Sequence, residues 1–229
     1  MSFSSLNLEK TINTIDRLSL RIYDRFPNSS LYSVCRELKE LAIKSNSNLD
    51  KINKPYYLFR SVFVLLICIL IFIVIKIFTN TNIDVKGEFT STFFQSSEAL
   101  VNGLALVGAA FFFVYKLEDY YKRKIILKAF HELRSIAHVI DMHQLTKDPS
   151  VFDMTGTENS PHRTMDAKHL YRYLDYCSEM LSLTSKVAAF YANENRDNFI
   201  TQSIHEIEIL TSTLSRKVWQ KIILINQTK

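Results

Sequence analysis

The stretch "SVFVLLICILIFIVI", residues 61–75, has no charge and almost no polar atom. A run of this kind restricts the chain more than any other segment, because water is a poor solvent for every face of the helix it would form. Extended from Tyr56 to Phe78, it reaches the roughly 20 residues needed to cross a hydrocarbon core about 30 Å thick. Tyr56, Tyr57 and Arg60 at one end and Lys76 at the other carry polar tips that can reach the interfaces. The run is internal and has no small-residue cleavage site, which argues against a secretion signal. The competing assignment is a fully buried helix of a soluble protein. The pattern predicts a first transmembrane helix over 56–78.

A second apolar segment, "FFQSSEALVNGLALVGAAFFFVYK", follows at residues 93–116. It predicts a second transmembrane helix over 93–115, joined to the first by a short outer connection, 79–92. Hydrophobic residues make up 47% of the chain, with only four Gly and four Pro, so turns are scarce and helices are expected throughout. The expected fold class is therefore all-α: a two-span helical membrane protein with a cytoplasmic helical bundle.

The cations set the orientation. Lys51, Lys54 and Arg60 precede the first span, and Lys116, Lys122, Arg123, Lys124 and Lys128 follow the second. The connection holds only Lys86 against Asp84 and Glu88. The positive-inside rule then predicts a multi-pass protein of the bacterial inner membrane with both termini cytoplasmic. The net charge of +5 belongs largely to these collars, which suit anionic lipid headgroups and give no support to direct nucleic-acid binding. Cys35, Cys68 and Cys177 all avoid the outer loop, and no disulfide is expected.

The flanking regions read as amphipathic helices. Leu8, Ile12, Ile15, Leu18, Ile22 and Phe26 share one face, "FPNSS" breaks the pattern, and Leu31, Val34, Cys35, Leu38, Leu41 and Ala42 form a second face. This predicts an N-terminal hairpin over 1–50, ended by the polar linker "KSNSNLDKINKP". After the second span, Ile126, Ala129, Phe130, Leu133, Ile136, Ala137 and Ile140 continue a helical face, with no Gly or Pro between Ala109 and Lys147. Two more helices follow the mobile loop expected at 146–165. One presents Leu170, Tyr173, Leu174, Cys177, Leu181, Thr184, Ala188 and Tyr191; the other presents Ile200, Ile204, Ile207, Leu210, Leu214, Val218 and Ile222. Together these predict a cytoplasmic bundle over 116–229.

Little in the chain resembles catalytic machinery. In "HELRSIAHVIDMHQLTKDP", residues 131–149, helical spacing brings Ser135, His138 and Asp141 near one another, with Arg134 four residues before His138. Donors for a developing oxyanion and a strained nucleophile turn are both missing from this pattern, so no catalytic residue is assigned and the chain is not expected to be an enzyme. His131 and His138 lie two turns apart, about 10 Å, too far to share one metal ion. Neither a metal nor a cofactor is expected. Arg134, His138 and Asp141 are left as a polar network at a helix edge, with a regulatory docking role as the functional alternative.

The second span holds the more informative polar residues. On a helix, Gln95, Glu98, Asn102 and Ala109 recur at three and four, with Gly103 beside them, forming one polar and small stripe. Small residues allow backbones to approach and amides can bond across the contact, so the stripe predicts a homo-oligomer contact. An ionisable residue inside a membrane also marks a pathway, and converging copies of Glu98 and Asn102 would line a cation-favouring path. Packing glue and pore lining both remain open at this point.

Two close spans, cytoplasmic helices and a basic collar resemble the small transmembrane effectors of bacterial anti-phage systems. The segments "HELRSIAHVIDMHQLTKDP", "YLDYCSEMLSLTSK" and "LSRKVWQKI" resemble the membrane protein that accompanies a retron reverse transcriptase. The resemblance implies an abortive-infection effector held inactive by a partner complex of reverse transcriptase with its RNA and reverse-transcribed DNA. It carries over no functional residue. The alternative is a membrane-anchored helical scaffold or regulatory interaction protein without pore activity.

Overall fold

The computed structural model describes residues 7–54, 57–80, 89–147, 149, 159, 165–193 and 198–227; the side chains at 58–60, 73–74, 77–80, 89–97, 99–100 and 193 lie outside the description. All regular elements among these residues are helices. They are α1 (Leu8–Arg25), α2 (Ser30–Asn53), α3 (Tyr57–Asn80), α4 (Phe89–Leu145), α5 (Ala167–Ala189), a 3-10 turn (Phe190–Asn193) and α6 (Asn198–Gln227). The chain forms two compact units: residues 1–53 with 125–229, and residues 54–124.

In the first unit, local chemistry sets the helix ends. The Asn7 side chain accepts from the Lys10 N–H at 3.0 Å and caps α1, while Glu9 and Arg25 complement its dipole. The Phe26 N–H closes onto the Ile22 carbonyl at 2.7 Å, and Pro27 prevents the helix from continuing. Ser29 then accepts from the Leu31 N–H at 3.2 Å and opens α2. Asp166 caps α5 by accepting from the His169 N–H at 2.7 Å.

The core joins faces from five helices. Ile15, Leu18 and Ile22 of α1, Leu31 and Leu38 of α2, and Ile126, Leu133 and Ile140 of α4 are completely or almost completely buried. Leu174 and Leu181 of α5 and Ile207 and Val218 of α6 complete the cluster. Helices α5 and α6 pack along one another, as do α1 and α2, and α5 also meets α1 and α2. The C-terminal half of α4 is held from two sides: Lys44 of α2 pairs with Glu132 at 2.6 Å, and Arg134 pairs with Glu206 of α6 at 2.7 Å. Phe130 meets the buried Tyr191 ring edge-on at 5.3 Å. The bundle thus includes the N-terminal hairpin as well as the three helices expected after the second apolar segment.

One boundary differs from the sequence expectation. The polar linker expected from Lys44 onward is helical to Asn53, because the buried face of α2 continues through Ser45, Asn48 and Ile52. Polar residues fit on that face by finding partners: Ser45 Oγ donates to the Leu41 carbonyl at 2.9 Å, and the Asn48 amide donates to the Tyr191 hydroxyl at 3.5 Å.

The second unit contains α3 and α4 up to Lys124. Phe63 of α3 meets Phe111 of α4 at 5.2 Å in an edge-on contact. Among the described residues, these helices also turn large apolar side chains outward. Leu65 and Phe72 of α3 are 60% and 61% exposed, and Leu104, Leu106 and Phe113 of α4 are 66–69% exposed. Among the described residues, one helix is long and apolar enough to cross a membrane: α4 over Val101–Leu145, whose most apolar 18-residue window is wholly unburied. The two spans of the sequence expectation are thus reduced to one by this criterion. The apolar stretch described in α3, Ser61–Phe72, is shorter, and at 1.5 Å per residue falls well below about 30 Å. Of the outer connection expected at 79–92, residues 79–80 belong to α3 and 89–92 to α4, while 81–88 and most of the loop expected at 146–165 lie outside the described residues.

Candidate functional site

Two regions carry the polar chemistry: the apolar part of α4, and the end of the same helix where it joins the bundle.

On the apolar part, Glu98, Asn102 and Ala109 are exposed and Gly103 is half-exposed. Gln95 lies on the same helix, but its side chain is outside the described residues. A Cβ added at Gly103 or at Gly108 would meet nothing within 4 Å, so neither glycine is explained by close packing within the chain. Lys116 lies over the Phe112 ring at 5.5 Å, and Lys122 pairs with Glu118 at 2.8 Å one turn away. Charge therefore reappears on α4 directly after its apolar window.

In the bundle, Arg134, His138 and Asp141 do not meet. Arg134 is turned to Glu206, and both side chains are about half exposed, so the pair contributes little stability. The Asp141 carboxylate accepts from the Gln144 side chain at 2.6 Å. His138 is exposed, as is Ser135, and no hydrogen bond or ion pair joins the three residues among those described. The helical spacing is right, but α6 and Gln144 offer stronger partners than these residues offer one another.

His143, which the spacing set apart from that group, is the better-connected imidazole. Its Nδ1 lies 2.9 Å from the Val139 carbonyl, an acceptor only, so the proton sits on Nδ1. Nε2 is then the acceptor, and Ser30 Oγ donates to it at 3.0 Å. This ties the first residue of α2 to the last turn of α4.

Around that tie is a cleft of about 560 Å³. One wall is the α1–α2 turn, Pro27–Ser30; the second is the end of α4 with His143, Thr146 and Lys147; Met165 and Tyr173 form the third. Tyr173 is buried, and its hydroxyl is pushed up to about 12 chiefly by loss of solvent. The Lys147 ammonium lies 5.5 Å from the centre of its ring. Phe26 packs edge-on against the same ring at 5.5 Å. Beside the cleft, the exposed Asp166 is held below its ordinary range, first by the backbone N–H of His169 and then by its side chain.

The cleft was not apparent in the sequence. "FPNSS" reads as a helix break, which it is, but its role as a wall depends on contacts with residues more than a hundred positions away. Among the described residues, no three His, Cys, Asp or Glu side chains gather as a metal site. Cys35 and Cys177 are fully buried, and both thiols are pushed up to about 12 by burial. Neither is a nucleophile near neutral pH.

No protein-family model, curated protein or solved structure matches this chain.

Proposed function

We propose that this chain is a membrane effector of a retron-like anti-phage defence system, which oligomerises and disrupts the inner membrane to cause abortive infection when released from a reverse transcriptase complex with its RNA and DNA. In this reading α3 and α4 both cross the bilayer, both termini are cytoplasmic, and the chain has no enzymatic activity of its own.

The supporting observation is the outward display of large apolar side chains along α3 and α4, with none of the most apolar window of α4 buried. Monomeric soluble proteins rarely expose contiguous apolar patches of more than a few hundred Å². Lipid is the solvent that makes this arrangement favourable. Within it, Glu98 and Asn102 have no covering partner among the described residues, and Gly103 and Gly108 leave open space against the helix backbone. A second copy would supply both a partner for the polar groups and a backbone for the small ones. Helix α4 then continues without a break to Leu145, among residues of the packed bundle, so a change in the bundle has a direct route along one helix.

The test is to express the chain alone and together with its genomic neighbours while following membrane potential with a voltage-sensitive dye. The expected result is depolarisation and growth arrest alone, with rescue by the neighbouring genes. A fully expressed, membrane-inserted chain that causes no leak would overturn the effector reading. If exchange of both apolar helices for unrelated spans preserves activity, the chain is a tethered scaffold.

A further inference from the structure

We propose that the cleft between the α1–α2 turn, the end of α4 and the start of α5 is a binding site for a nucleoside monophosphate or a closely similar phosphomonoester with a planar body. This stands independently of whether α4 crosses a membrane.

Charge is the first reason. The lining contains the Lys147 ammonium and, among the described residues, no Asp or Glu; the neutral His143 adds no charge. Lys147 is positioned by the face of Tyr173, a contact that orients the ammonium without neutralising it. Asp141 and Asp166 flank the walls in sequence, yet each is already engaged, the first by Gln144 and the second by His169. Lys221 donates to the Gln144 carbonyl at 2.7 Å, which offsets the negative end of α4. On the opposite wall α2 begins at Ser30 with no acidic residue in its first turn.

The donor set is the second reason. A phosphate monoester has three terminal oxygens and needs several donors as well as a cation. Ser29 and Thr146 bring two hydroxyl donors and Asn28 an amide to the same space as Lys147, while the Ser30 hydroxyl is spent on His143. The remaining lining is apolar: Met142 and Met165 face the cleft with Phe26 and Pro27. Thioethers pack favourably against aromatic rings, so this part suits a base rather than a second charged group. The volume of about 560 Å³ lies within the roughly 300–1,000 Å³ of small-ligand sites.

The test uses the full chain in nanodiscs of zwitterionic lipid, titrated calorimetrically with AMP, GMP, CMP and UMP and with the four parent nucleosides. At least one monophosphate should bind ten times more tightly than its nucleoside. Lys147→Gln should weaken that binding about tenfold, and Met165→Trp, which fills the cleft, should abolish it. Lys168→Gln, in a separate basic hollow between α5 and α6, should leave it unchanged. The proposal is overturned if no monophosphate exceeds its nucleoside, if binding survives Lys147→Gln unaltered, or if the loss follows Lys168→Gln instead. Should Met165→Trp lose the helical signal of the bundle, Lys147→Gln alone decides.

Discussion

Ser30 and His143 meet at 3.0 Å, so the turn that begins α2 is fastened to the last turn of α4 by a hydroxyl and an imidazole. The Val139 carbonyl selects the tautomer, leaving Nε2 free to accept. Both side chains are partly open to solvent, so water replaces either partner when it is lost. Ser30→Ala or His143→Ala should therefore destabilise the bundle by only about 0.5–1 kcal/mol. The local effect should be larger: faster amide exchange at residues 27–31 and 142–147, with little change along α5. Uniform acceleration throughout the bundle would show that the contact supports the whole core.

The two buried thiols predict a particular alkaline limit. Cys35 and Cys177 rise from the usual 9.0 to about 12, chiefly because the folded core excludes the water that a thiolate needs. Between those values the folded state keeps protons that the unfolded state releases, so stability falls as pH rises. The full contribution is present below about pH 9 and is lost towards pH 12, at about 1 kcal/mol per pH unit for each thiol. In a Cys68→Ser background, iodoacetamide at pH 8 should label neither remaining cysteine in the folded protein and both in guanidinium. Unfolding midpoints measured from pH 8 to 11 should fall with rising pH, and should fall less in Cys177→Ala.

How much of this was legible in the sequence depends on whether a residue's role is local. Leu170, Leu174, Cys177, Leu181 and Thr184 recur at three and four, and all are buried, because the period of one helix suffices to assign its inner face. Asn48 and Ser45 look like linker residues by type. They are buried because Tyr191 and the Leu41 carbonyl satisfy them, and no pattern within α2 announces a partner 143 residues away. Trp219 shows the reverse, being half exposed despite its size. The candidate site divides in the same way: Glu98 and Asn102 stand out by being polar in an apolar run, whereas the cleft exists only once three distant segments are brought together.

Glu98 offers a test of what the apolar part of α4 does. The side chain is exposed and lies one turn before the exposed Asn102. If copies of α4 converge around a conducting path, a ring of carboxylates raises the local concentration of cations and a ring of ammoniums lowers it. Reversal potentials in planar bilayers under a salt gradient should then shift towards anion preference in Glu98→Lys and lie in between for Glu98→Ala. Unchanged reversal potentials with altered oligomer size would assign Glu98 to assembly.

The two glycines separate contact within a chain from contact between chains. Nothing lies within 4 Å of a Cβ built at Gly103 or at Gly108, so a larger residue has no clash to relieve inside one molecule. Replacing glycine in a helix interior also favours the helix by up to about 1 kcal/mol. Gly103→Leu and Gly108→Leu should thus leave the monomer intact, with the same bundle melting temperature. A backbone approaching from a second copy would instead meet the new side chain, and self-association would weaken. Crosslinking in membranes should show loss of the oligomer in one or both variants together with loss of depolarisation. If both variants assemble and depolarise as before, the contact between copies uses a different face of α4, and Leu104 and Leu106, both exposed, are the next positions to substitute.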